Sequence, residues 1–300
     1  MDKKRYWLHV PLETTRGDWL QPPPDEKISV LGHSAKLHSR DLPNMNSLTN
    51  AGTSIIRQWL LFDPIADHDA RNILTLLREK IPVLSLRQKA ALRVAASELS
   101  VSPHAIYNGP IPTLIPEHLT PNPAWADLEI SSYLEAKPLF ENILEQCPPV
   151  SDERILAAIH LEVASRYDVL PRSVFLALLT ILDSLAERTE RPESVQAWLT
   201  EKASEAAKFD DPGLRSSLAN LKQASHGAAV RGLVERACRA MGYDETSVKK
   251  HTSLATTLYQ IRSSLSHAGT SGQNLDVEGA RTLVSLVLNS AIDDPTILKA

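Results

Sequence analysis

Proline distribution constrains the fold of this chain more than any other feature. Sixteen of the twenty prolines precede residue 150, and only Pro171, Pro192, Pro212 and Pro295 follow it. Proline fixes φ, has no amide hydrogen to donate and breaks helix interiors. The two halves are therefore built differently. In the first half, Arg5 to Val10 and Lys27 to Leu31 read as short strands bounded by turn residues. Helical periodicity runs over 66–80 through Ile73, Leu76 and Leu77, and over 85–99 through Leu92, Ala95, Ala96 and Leu99. From Pro103 to Pro123 the prolines recur too often for a helix, and an extended or looped connection is expected.

After Cys147-Pro148-Pro149-Val150 the pattern becomes helical. Ser151 is the expected cap of a helix from Arg154 to Tyr167, with Asp152 and Glu153 in its first turn. Pro171 opens a strongly apolar helix carrying Val174, Leu178, Ile181, Leu182 and Leu185, and further helices are predicted around 193–205, 213–224, 226–241, 247–267 and 276–292. The expected fold is mainly α: a Pro-rich α+β domain over 1–149, followed by an all-α helical bundle over 150–300.

Composition narrows the function classes. A formal net charge of −4 argues against coating nucleic acid through bulk electrostatics, but leaves room for a local cationic site. No run of about 18 apolar residues is present, so no membrane span is expected, and the charged start at Asp2 to Arg5 lacks a secretory h-region, which makes cytoplasm the expected compartment. Cys147 and Cys238, far apart, read as reduced thiols. There is no G-x-G-x-x-G, P-loop or G-x-S-x-G, and no cofactor is expected. His9, His33 and His38 match no ligand spacing and read as surface or turn histidines, so no metal is assigned. Trp7, Trp19, Trp59 and Trp125 read as core and interface anchors. Arg231, Arg236, Arg239, Lys249 and Lys250 read as an ordinary solvated helix surface near Glu235, Asp244 and Glu245, in preference to an RNA-guiding face. His226 and Gly227 read as part of a local helix cap.

The stretch Leu258-Tyr259-Gln260-Ile261-Arg262-Ser263-Ser264-Leu265-Ser266-His267-Ala268-Gly269 carries the candidate chemistry. On a helix, Leu254, Leu258, Ile261 and Leu265 form an apolar stripe, while Tyr259, Arg262, Ser263, Ser266 and His267 are expected on the opposite side. Spacing alone proves little, since Arg154 and His160 form a similar pair inside an aliphatic segment. Only the second pair has a polar surface.

Together with Val174 to Leu185 and the helix start at Ser225 to Glu235, that stretch resembles the HEPN superfamily, and within it the Apea-like HEPN domains, over roughly residues 150–295. Asp183 stands where these domains often carry glutamate, and Ala268 separates His267 from Gly269 where histidine and glycine are often adjacent. The resemblance implies a metal-independent endoribonuclease whose composite site forms across a homodimer or higher even-numbered oligomer, with RNA as substrate and bacterial antiphage defence or growth arrest as the setting. Arg262 and His267 lie about 140° apart around a helix, so a facing second copy would supply the missing partner on a single phosphate. His267 would move a proton at the ribose 2′-hydroxyl or the leaving oxygen, and Arg262 would hold the phosphate. Tyr259, Ser263 and Ser266 would add supporting hydrogen bonds. The other reading is a non-catalytic module, in which the same face serves dimerisation or nucleotide or RNA binding. In either reading residues 1–149 are candidates for sensing a regulator or phage trigger.

Overall fold

The computed structural model describes residues 4–15, 18–21, 27–39, 55–95, 98–102, 111–119, 133–206, 208–209, 211–268 and 275–299, with the side chains of 19, 39, 133, 212 and 266–268 outside that description. The content is mainly helical, as the sequence predicts, with a mixed sheet in the N-terminal region. The chain divides into two compact units, one of residues 1–151 with 162–169, the other of 152–161 with 170–300.

In the first unit, β1 (Arg5–Thr15) is the central strand. With β3 (Ile28–Val30), β4 (His33–Ser39), β5 (Ile55–Ala66), β6 (Leu92–Val94), β7 (Ser100–Val101) and β8 (Thr113–Pro116) it forms a seven-stranded sheet in the order β3-β4-β5-β1-β8-β7, with β6 also on β1. β2 (Trp19–Gln21) pairs in parallel with β9 (Tyr133–Glu135). Leu31 and Gly32, both at positive φ, make the two-residue turn between β3 and β4, a geometry that suits glycine.

The sequence ended the first strand at Val10, before Pro11, yet β1 runs five residues further. On one edge its partner changes from β8, opposite Tyr6 to His9, to β6, opposite Leu12 to Thr14. Pro11 sits at the changeover, where its missing N–H interrupts neither ladder and its carbonyl accepts from Ala95 N at 2.9 Å.

The helix expected over 66–80 is α1 (Asp67–Gln88), which continues through Pro82. The second helix expected over 85–99 does not form. Lys89 turns left-handed at φ 54°, its N–H and that of Ala90 donate to Leu86 O and Ser85 O, and Leu92 enters the sheet as β6. The apolar period there comes from the buried end of a helix running into a strand. α1 packs on β1, β5 and β6 through a buried set that includes Ile73, Leu77, Ile81 and Leu84. A short helical run follows: α2 (Ala136–Pro138), a π turn over Leu139–Ile143 and α3 (Leu144–Gln146). Lys80 of α1 donates to the carbonyls of Glu145 and Cys147 at 3.1 and 2.6 Å, satisfying acceptors at the end of α3. Of the expected connection at Pro103 to Pro123, Thr113–Pro116 is strand β8, and 103–110 and 120–123 lie outside the described residues.

The division between the units falls within α4 (Glu153–Ser165). Asp152, rather than Ser151, caps this helix, its Oδ1 accepting from Arg154 N and Ile155 N at 2.8 and 3.3 Å. The second unit continues with α5 (Pro171–Leu185), α6 (Glu193–Ala206), α7 (Pro212–Asn220), α8 (His226–Ala240), α9 (Glu245–Ala268) and α10 (Val277–Asp293), closed by a 3₁₀ turn at Pro295–Leu298. Its core joins Phe175, Leu178 and Leu182 of α5, Val230, Leu233 and Val234 of α8, Leu258, Ile261 and Leu265 of α9, and Leu283, Val284 and Val287 of α10. Cys147 and Cys238 are buried free thiols. No helix among the described residues is long and apolar enough to cross a membrane.

Candidate functional site

α9 presents Ala255, Leu258, Ile261 and Leu265 to the core, a stripe at helical spacing that fixes the helix's rotation. Tyr259 and Arg262 consequently sit on the flank of that stripe, half-buried, and do not project from the opposite side as the sequence suggested. The reason is a carboxylate on α5. Arg262 Nη2 donates to Asp183 Oδ2 at 3.1 Å, Arg262 Nη1 donates to the Tyr259 hydroxyl at 3.3 Å, and that hydroxyl donates to Asp183 Oδ1 at 3.4 Å. The guanidinium carbon lies 5.4 Å from the Tyr259 ring centre, within cation–π range. The shorter aspartate thus reaches its helix partner without the extra methylene of a glutamate.

His226, the first residue of α8, joins the same carboxylate, with Nδ1 3.2 Å from Asp183 Oδ1. It is not part of the helix cap, which is made by Ser225 Oγ accepting from Ala228 N at 3.2 Å. Gly227 has a different role again. A Cβ there would lie 3.0 Å from Tyr259 Cδ1, so the absence of a side chain lets α8 approach the Tyr259 ring. Three helices thereby place an acid, an arginine, a phenol and an imidazole around one point. Sequence spacing alone could not assemble them, although Asp183 and His226 each lie in a segment that carries the family resemblance.

The electrostatics follow from this packing. Burial, and then the negative charge of Asp183, hold the Tyr259 phenol above its ordinary value, with Arg262 opposing. Tyr259 therefore stays protonated and donating at neutral pH. Asp183 and Arg262 keep 21% and 24% of their side-chain surface and His226 keeps 53%, so the cluster is open to solvent on the His226 side.

Ser263 is exposed on α9. Ser266 and His267 belong to α9 by backbone, and their side chains lie outside the described residues. The spaced pair Arg154 and His160 is not part of this cluster: Arg154 Nη1 donates to Glu187 at 3.3 Å. On α8, exposed Arg239 is engaged by Glu235 and Glu245, as an ordinary solvated surface expects, whereas Arg236 is half-buried and its Nε donates to Ile297 O at 2.6 Å.

In the first unit His9 is buried, contrary to the surface or turn reading, because β1 is covered on both faces. Trp59 is buried as an anchor and Trp7 is half-buried, while the side chains of Trp19 and Trp125 lie outside the described residues. No group of three or more His, Cys, Asp or Glu side chains that could hold a metal ion occurs among the described residues.

No protein-family model, curated protein or solved structure matches the chain.

Proposed function

We propose that the chain is a metal-independent endoribonuclease of HEPN type that acts as a homodimer or higher even-numbered oligomer in antiphage defence or growth arrest. The observation that supports this reading best is the anchoring of Arg262 by Asp183 and Tyr259, which fixes a guanidinium at a partly open surface. A guanidinium held in that way keeps its remaining N–H donors for a phosphodiester, and loses less side-chain freedom when it binds one.

The reaction is a transesterification. The ribose 2′-oxygen bonds to phosphorus as its proton passes to a base, and the P–O5′ bond breaks as the 5′-oxygen takes a proton from an acid. Arg262 neutralises the charge that grows on the phosphoryl oxygens, and His267 of α9 serves one proton transfer. Ser263 and Ser266 add hydrogen bonds to the strand.

The test is incubation of purified protein with mixed RNA in the presence of chelator, alongside sedimentation. We expect a dimer or larger, cleavage by wild type, and loss of at least about 100-fold in rate for both Arg262→Ala and His267→Ala. Cleavage that survives both substitutions contradicts the assignment of these residues. Intact RNA throughout favours the non-catalytic binding module.

A further inference from the structure

His226 lies outside the R-x4-H pair, yet it shares a carboxylate with Arg262. Asp183 uses Oδ2 for the guanidinium and Oδ1 for His226 Nδ1, so the arginine and the imidazole are one carboxylate apart within a single copy of the chain. We propose that His226 is a catalytic residue of the same site, serving one of the two proton transfers of RNA cleavage while His267 serves the other. The inference rests on the ribonuclease reading above and adds a group to it.

Transesterification through a cyclic phosphate removes one proton from the 2′-hydroxyl and returns one to the 5′-oxygen. Two positioned acid–base groups on either side of the phosphate complete that exchange without net proton change. His267 is about 140° around α9 from Arg262. His226 comes instead from α8 and meets the carboxylate at Oδ1, the oxygen that Tyr259 shares, while Arg262 holds Oδ2. Its contact with Asp183 is through Nδ1, which leaves Nε2, at the far side of the ring, as the atom to meet substrate. The exposure of the side chain, 53%, admits a nucleotide. The charged group against His226 is Asp183 of α5, whose carboxylate also takes the Tyr259 hydroxyl and the Arg262 guanidinium of α9. Away from this end, α10 meets α8 through Ser290, which donates to Ala237 O, and the 3₁₀ turn meets it through Ile297 O on Arg236. His226 also begins α8, and a helix N-terminus favours the phosphate that Arg262 would hold beside it.

Two readouts on the full chain test this. The first is the pH–rate profile for RNA cleavage by wild type, His226→Gln and Arg262→Ala, with thermal unfolding as the folding control. The second is the His226 ring resonance on adding uridine 3′-monophosphate. Expected are a loss of about 100-fold or more in kcat for His226→Gln, disappearance of one limb of the profile, and a nucleotide-dependent shift of the His226 resonance that is absent in Arg262→Ala. If wild type cleaves and Arg262→Ala does not, but His226→Gln keeps both rate and profile, the inference is overturned and the ribonuclease reading stands. If wild type cleaves no RNA, the reading falls and the catalytic role of His226 falls with it, whether or not the resonance shifts.

Discussion

Asp183 meets three side chains from two other helices with its two oxygens. That single residue joins a motif on one helix to side chains of two others, and its partial exposure keeps the associated ion pairs worth only about 1 kcal/mol each in stability. Its weight is therefore in positioning. In the first unit another residue behaves differently. Burial, with the charge of His38 second, lowers the His9 value to about 3. The fold thus favours the neutral imidazole, so this contribution to stability is fully present above the unfolded value near 6.5 and is lost progressively as pH falls from there toward about 3. Wild type is expected to lose about 1 kcal/mol of stability between pH 7.5 and 5.5 from this group. Urea midpoints at the two values should fall less for His9→Gln, and an equal fall in both proteins contradicts the assignment. Sequence alone could not place His9 inside, because its alternating strand neighbours are the signature of a sheet with one wet face.

At the scale of elements, the second half was the legible one. Long amphipathic helices with capping signals place α5, α8, α9 and α10 within a few residues of expectation, because each is fixed by a local apolar period and a start signal such as Pro171 or Ser225. In the first half, β6 took shape where a helical period seemed to continue, since pairing to β1 is a long-range contact that leaves no local trace. The approach of α8 to α9 is equally non-local. It depends on Gly227, whose missing Cβ accommodates the Tyr259 ring. Gly227→Ala is expected to displace that ring, loosen Arg262 and lower cleavage severalfold, while the gain in helix propensity, up to about 1 kcal/mol, offsets the crowding in stability. Cleavage rate and thermal unfolding measured on one preparation separate the two effects, and an unchanged rate shows that the close approach serves packing alone.

Across the whole molecule, the chemistry-bearing side chains described here all belong to the second unit, whereas the first unit is organised around its own sheet and a buried carboxylate. There Glu13 of β1 binds Arg57 of β5 and Arg93 of β6, and Tyr167 donates to the Glu13 carbonyl at 2.7 Å. Proline content announced two differently built halves. It did not announce that residues 162–169 belong with the first unit, because Tyr167 and Arg93 meet only in the fold, where the guanidinium carbon lies 4.4 Å from the ring centre. The arginine-bearing stretch of α9 was visible as a motif and Asp183 as the acid at a position of the resemblance, whereas their meeting, and the place of His226 beside them, emerged from helix packing. The most direct measurement of the central claim, that Arg262 and its neighbours promote attack by the ribose 2′-oxygen, is the chemistry of the RNA ends produced in chelator. Attack by the 2′-oxygen leaves 2′,3′-cyclic phosphate and 5′-hydroxyl ends; products bearing 3′-hydroxyl and 5′-phosphate contradict it.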